Sequence, residues 1–188
     1  KISKEDYLEA EAGMSRSPGH CMVMGTASTM GSMAEALGLQ MPGMSSYPAV
    51  DSRRYALSEM AGVQIVKNVI NKLTMSKILT RKAFENAIKT NAAIGGSTNA
   101  IIHLLAIAKR MNVELSLNDF DDLTRKIPFI VNLKPSGEYL MEDFCYAGGL
   151  PAVLKEILPF LNKNTITITG KTLEQNIKQS KNFNTKVI

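Results

Sequence analysis

The chain has 188 residues, 45% hydrophobic and 21% charged, with 22 Lys and Arg against 17 Asp and Glu for a net charge of +5. These values exclude a disordered, collagen-like or disulfide-scaffold protein and indicate one large domain or one domain with extensions, at roughly 150 residues per domain. The basic residues are scattered and Trp is absent, so no nucleic-acid partner is expected, and no apolar run of about 18 residues or signal-peptide core points to a membrane.

In chain order, Ser3 opens a weakly amphipathic helix to about Met14, with Tyr7, Leu8 and Ala12 on one side. The stretch from Ser15 to Cys21 contains Pro18-Gly19 and reads as a loop presenting side chains. Thr26 to Leu37 is a helix rich in Gly, Ala and Ser, able to approach another backbone or a cofactor closely, with Gly38 as its cap. Met41 to Pro48 is irregular. Asp51 caps a long helix to about Leu73, in which Leu57, Ala61, Ile65, Val69 and Leu73 recur every four residues.

A further helix after Thr80 turns Phe84, Ala87 and Ile88 inward and ends at Gly95-Gly96. Ser97, Thr98 and Asn99 are good helix-starting residues, and the run Ala100 to Ala108, apolar except for His103, predicts a buried helix with His103 as a satisfied core histidine. Asn118 to Lys126 and Gly148 to about Leu158 read as short helices, whereas Phe129 to Val131 and Thr165 to Ile168 have strand composition. Gly170-Lys171-Thr172 is a turn and helix start. The pattern is helix-rich with few strands, an α/β class.

Two cysteines far apart, Cys21 and Cys145, make no CxxC pair, which fits a reducing compartment and a cytoplasmic location. Cys21 has two readings. Free cysteine is commonly a small buried hydrophobe, but a thiol beside His20, ahead of a helix of small residues, suits a thiolate or an anionic cofactor. Cys145, between Phe144 and Tyr146, reads as core. Gly95 to Asn99 offers amides and hydroxyls to a carboxylate or phosphate, although the same residues cap any helix. Glu35, Glu59, Glu142 and Asp143 are possible acid/base groups that no spacing pairs. Asp119, Asp121 and Asp122 lack the pattern of a calcium loop and read as a solvated first turn. The 11 methionines read as core filling.

Taken together, Ser15-Arg16-Ser17-Pro18-Gly19-His20-Cys21-Met22-Val23-Met24-Gly25-Thr26-Ala27-Ser28-Thr29-Met30, Ala34-Glu35-Ala36-Leu37-Gly38 and Leu39-Gln40-Met41-Pro42-Gly43 closely resemble the dihydroxy-acid dehydratase and 6-phosphogluconate dehydratase family. Phe84-Glu85-Asn86-Ala87-Ile88, Gly95-Gly96-Ser97-Thr98-Asn99-Ala100, Leu133-Lys134-Pro135-Ser136-Gly137 and Gly148-Gly149-Leu150-Pro151 extend the resemblance in the family's order over almost the whole chain.

The resemblance implies an iron–sulfur hydro-lyase that removes water from a 2,3-dihydroxy acid to give a 2-keto acid. Three cysteines hold the cluster, of the 2Fe-2S or 4Fe-4S type, and Cys21 matches the last of them. Magnesium (Mg2+) assists in such enzymes. The other two cysteines and the magnesium ligands lie upstream in the family, and the serine base lies in a downstream domain. Residues 1–188 therefore resemble an internal piece of the N-terminal domain without the C-terminal domain, inactive alone, from a protein that forms a homodimer or higher homo-oligomer. No catalytic residue is identified within the chain. Ser28, Thr29, Gly96, Ser97, Thr98 and Asn99 are its candidate substrate-binding residues.

Branched-chain members typically carry Gly-Ala-Cys-Gly-Gly-Met-Tyr-Thr-Ala-Asn-Thr-Met, whereas His20 before the cysteine and Met24-Gly25-Thr26-Ala27-Ser28-Thr29-Met30 after it look more like the sugar-acid members. A small-molecule sugar acid is the expected substrate, with the branched-chain biosynthetic dihydroxy acid as the alternative. A noncatalytic binding or assembly module and a phosphate-binding domain built on Gly95 to Asn99 are the other classes.

Overall fold

In the computed structural model, which describes residues 2–14 and 18–188, the fold is organised by a run of residues that leaves water completely. Arg81–Ile94 forms α5, and Phe84, Ala87, Ile88, Ala93 and Ile94 on it are all at most 1% exposed. Each large apolar side chain buried this way contributes about 1.5–3 kcal/mol. Gly95 then adopts φ +59° and ends the helix, because the left-handed conformation there costs glycine least.

Around α5 pack α2 (Thr26–Ala36), α7 (Leu117–Thr124), α9 (Gly149–Glu156) and α6 (Asn99–Arg110), while α8 (Met141–Ala147) and α10 (Leu173–Ile177) lean on α9. The small residues of α2 let it lie close, with Ser28, Thr29, Ser32, Met33 and Ala36 buried. Gly38 at φ +85° sits where a Cβ would meet Thr167 at 3.0 Å, and Ile168 N–H donates to the Gly38 carbonyl at 2.8 Å. The remaining helices are α1 (Lys4–Met14), which buries no residue, α3 (Ser52–Ile70) and the one-turn α4 (Met75–Ile78).

Polar groups inside this packing are committed to joining segments. Asn86, fully buried on α5, donates to the Asn162 carbonyl at 3.0 Å and accepts the Asn162 N–H at 2.7 Å, so the 162–165 turn is held to the helix. Glu35, 5% exposed on α2, accepts from Gly43 N–H, Ser45 N–H and the Ser45 hydroxyl at 2.6, 3.1 and 2.6 Å. It fixes the irregular stretch after α2 instead of serving as a free acid/base group. Arg81 bridges α5 to α7 by bonding Asp119 and the Glu114 carbonyl. Asp119 also accepts from Ser116 N–H at 2.7 Å.

Four expectations are corrected. Neither 129–131 nor 165–168 is a strand: among the described residues only two isolated bridges occur, Leu133 with Tyr139 and Ile166 with Thr172. Ile130 N–H bonds to the Ala93 carbonyl and Asn132 N–H to that of Val187, so a helix end and the chain's tail take the bonds that a ladder would supply. The structure described is thus helix-rich, not a sheet-bearing layer.

Second, α6 is not buried all round. Ala100, Leu104 and Ala108 face inward, while His103 is exposed and Ile102 is 64% exposed. Third, α3 ends at Ile70, and Ile65 and Val69 of the four-residue repeat point outward, at 59% and 72% exposure. A repeat of four drifts by about 40° per step on a helix of 3.6 residues per turn, so it cannot stay on one face. Fourth, Cys145 is half-buried instead of core, and Phe144 beside it fills the interior.

Candidate functional site

The residues that the sequence singled out lie on two helix starts that meet. Approaching α2, Met24 N–H donates to the Lys134 carbonyl at 2.8 Å, and Met141 N–H donates to the Met22 carbonyl at 2.8 Å. These two bonds hold the backbone just after Cys21. Cys21 itself is exposed, which sets aside its reading as a buried hydrophobe. The neighbouring His20 ring places Nδ1 2.9 Å from the Cys21 carbonyl. Ser15, Arg16 and Ser17 of the expected loop lie outside the described residues.

Ser28 and Thr29 are 2% and 0% exposed, and their hydroxyls are engaged by the fold. Ser28 Oγ donates to the Val23 carbonyl at 3.0 Å and thereby braces the segment between Cys21 and α2. Thr29 Oγ1 accepts Ser97 N–H at 3.0 Å, which pins the glycine turn against α2. Gly96 fills the remaining space: a Cβ there would lie 2.1 Å from Asn91 Oδ1 and 2.9 Å from Thr29 Cγ2. Close approach, rather than phosphate cradling, accounts for this glycine.

At the rim of the contact, Thr26 Oγ1 lies 3.0 Å from Ser97 Oγ and accepts from Asn99 Nδ2 at 2.9 Å, while Ser97 Oγ accepts Asn99 N–H at 3.2 Å. Two hydroxyl hydrogens serve one hydroxyl–hydroxyl bond. If Ser97 donates to Thr26, the Thr26 hydrogen is left over; if Thr26 donates, that of Ser97 is. Either way this partly exposed rim retains one hydroxyl donor for an outside oxygen. Thr98 is exposed and caps α6 without a side-chain bond.

Sequence reasoning missed two participants. Thr26 is the hub of the rim, and its place five residues after Cys21 at a helix start was the available signal. Asn91 lies beneath Gly96 with its Oδ1 buried and unbonded, and nothing in the sequence marks it. Of the acidic candidates, Glu35 carries a pKa raised by burial against the pull of the Ser45 and Gly43 hydrogen bonds. Glu59 is exposed on α3, and Asp143 caps α8 by accepting Leu140 N–H at 2.8 Å. Burial likewise raises the Cys145 thiol. Among the described residues no group of three or more His, Cys, Asp or Glu is placed to hold a metal ion. No helix among them is long and apolar enough to cross a membrane.

Comparison with known proteins bears on what this arrangement serves. Residues 1–176 match the family described as dihydroxy-acid/6-phosphogluconate dehydratase, N-terminal. The chain is 54% identical to the L-arabinonate dehydratase of Rhizobium leguminosarum bv. trifolii over 190 residues, covering 100% of this chain and 33% of that protein. It is also 54% identical to the L-arabonate dehydratase of Azospirillum brasilense over 193 residues, with the same coverage of 100% and 33%. With the dihydroxy-acid dehydratase of Ignicoccus hospitalis it shares 43% over 186 residues, covering 98% and 34%. The chain therefore spans about a third of the length of these relatives. On the family match and these identities, the chain belongs to the dihydroxy-acid/6-phosphogluconate dehydratase family and corresponds to its N-terminal region.

Proposed function

We propose that this chain is part of a longer dehydratase, a hydro-lyase that converts a 2,3-dihydroxy acid to a 2-keto acid, with a sugar acid as substrate. The observation that carries this reading is the juxtaposition at the start of α2: an exposed thiol on a braced backbone, ahead of a hydroxyl and amide rim with one donor to spare. Relatives named for arabinonate and arabonate, at 54% identity, support the sugar-acid reading over the alternative, since relatives named dihydroxy-acid dehydratase stand at 43% and 46%.

The iron–sulfur cluster fits this chain as one ligand, not as a complete site. Cys21 is exposed and fixed in place, whereas Cys145 is half-buried with a raised thiol pKa and belongs to the neighbourhood of Arg53 and Asp51. Two further thiolates must come from polypeptide beyond these residues, and magnesium ligands likewise. Held in part by Cys21, an iron–sulfur cluster would supply Lewis acidity toward a substrate hydroxyl. The chain's own residues then do three things. The bonds at Met22 and Met24 hold Cys21 in place. Ser28 and Thr29 set the distance between the Cys21 segment and the glycine turn. The rim hydroxyl of Thr26 or Ser97, with Thr98 and Asn99 beside it, orients a carboxylate or hydroxyl of the substrate. The base that removes the proton comes from outside this chain, as does the remainder of the homo-oligomer. Cytoplasmic residence suits its thiols.

The test is 2-keto acid release by the full-length protein, purified without oxygen and supplied with magnesium, from aldonates and from 2,3-dihydroxy-3-methylbutanoate. Preferred turnover of an aldonate is expected. Preference for the branched acid overturns the sugar-acid reading, and turnover of neither overturns the hydro-lyase in favour of a noncatalytic binding or assembly role.

A further inference from the structure

Helix α3 is held to the rest of the fold along one narrow line. Leu57, Ala61, Gln64 and Asn68 face inward, and Asn68 Nδ2 donates to the Ile168 carbonyl at 2.9 Å. Arg54, half-buried, donates from its guanidinium to the Tyr47 carbonyl at 3.0 Å, and most of the other side chains on the helix look outward, many of them apolar. Tyr55, Val66, Val69 and Ile70 are 75%, 58%, 72% and 73% exposed, with Ile65 at 59% on one flank and Met60 at 53% on the other. At 100° per residue these positions sweep an arc of about 220° around the helix.

The width of that arc selects its occupant. A helix covered on one side only carries an apolar stripe of about 100°. Ser58, Glu59 and Lys67 are exposed among the apolar positions of α3, but a helix whose apolar positions spread over twice that width has more than one side to cover, as a helix inside a larger domain does. A recess of about 360 Å³ between Met41 and the Met60–Val63 side of α3 is one place for such covering side chains. The chain spans 33% of the L-arabinonate dehydratase it resembles, so polypeptide for this cover exists in proteins of that length.

We infer that the outward arc of α3 is the docking surface for polypeptide of the same full-length protein lying beyond these 188 residues, which makes α3 an interior helix. This rests on the reading that the chain is part of a longer dehydratase. The chemistry of the covering face follows from α3: apolar side chains opposite Tyr55, Val66 and Ile70, a cation opposite Glu59, and at the Met60 edge a polar or anionic group for Lys67. The Glu59 carboxylate sits in the middle of the arc, forms no ion pair among the described residues, and would be costly to cover unpaired.

The test uses the full-length protein carrying Val66→Cys or, separately, Ile70→Cys. Maleimide labelling of the new thiol is followed by peptide mapping, and the oligomeric state by light scattering. Labelling roughly 100-fold slower than in denaturant, unchanged on dilution to monomers, is the expected result for a position that reacts only on local opening. Labelling at nearly the unfolded rate at both positions overturns the inference, as does protection lost on dilution, which assigns the arc to a second copy. The 2-keto acid assay on the same preparations reports separately: protection without turnover contradicts the dehydration chemistry but not the longer protein, which is the part of that reading this surface needs.

Discussion

Replacing Gly96 by Ala probes the contact between α2 and the glycine turn directly. The added methyl carbon falls 2.1 Å from Asn91 Oδ1 and 2.9 Å from Thr29 Cγ2. Thr29 cannot yield easily, because it is fully buried and its hydroxyl holds Ser97 N–H at 3.0 Å. Overpacking of this kind costs about 1–3 kcal/mol. For a chain of this size each kcal/mol lowers Tm by about 2–4 °C, so a drop of roughly 2–12 °C is expected. Asn91→Ala alone behaves differently. Its Oδ1 is buried without a partner, so no bond is lost there, and Ala is the better helix former by about 0.5 kcal/mol or more. Tm should hold or rise. In the Gly96→Ala/Asn91→Ala double variant the worst clash is gone, and most of the Gly96→Ala loss should be recovered, a coupling within about 0.5–3 kcal/mol. Thermal unfolding of the four proteins by circular dichroism measures the cycle. A Gly96→Ala drop below about 1 °C, or a drop undiminished in the double variant, refutes the close-approach account.

Further predictions concern the polar anchors. Glu35→Ala removes the acceptor of Gly43 N–H, Ser45 N–H and the Ser45 hydroxyl, for a net loss of about 2–4 kcal/mol by urea unfolding. Because burial raises its folded pKa above 4.5, wild-type stability from this group is full below that pH and is lost as pH rises through the raised value. The cost of Glu35→Ala should therefore shrink with rising pH, and a cost that grows contradicts the assignment. Asp119 behaves oppositely. Hydrogen bonds from Arg81 hold its carboxyl well below 3.8, so its contribution is present above that pH and is lost progressively as pH falls below it; Arg81→Gln should flatten this part of the stability profile, and an unchanged acid limb argues against it. At the rim, Thr26→Val and Ser97→Ala each leave one hydroxyl donor, at different places. In the full-length enzyme the double variant should raise KM by roughly 10- to 100-fold, one single variant should reproduce it, and silence of the double excludes the rim from substrate binding.

What the sequence revealed followed its local signals. Phe84, Ala87 and Ile88 placed α5 and its buried face, Gly95 placed its end, and Thr172 placed the start of α10. The meeting of the start of α2 with the glycine turn was not legible, since 71 positions separate Thr26 from Ser97 and no periodicity links them. Strand composition at 129–131 and 165–168 misled because β-branched residues record half-burial and not a pairing partner. Asn86 and Glu35 gave no signal of their roles. A buried polar residue looks like any surface residue until the segment that bonds to it, Asn162 or Ser45, is in place. The four-residue repeat in α3 marks a helix but not its buried face, because its drift of about 40° per step carries Ile65 and Val69 away from the inward line of Leu57 and Ala61.

The most direct measurement is the iron content and visible absorbance of the full-length protein with and without Cys21→Ser, both purified without oxygen. If Cys21 is a cluster ligand, the variant loses iron and the cluster absorbance while its far-ultraviolet circular dichroism is retained, since an exposed side chain is being changed. An unchanged spectrum and iron content in the variant would contradict the account's assignment of Cys21, and with it the site at the start of α2.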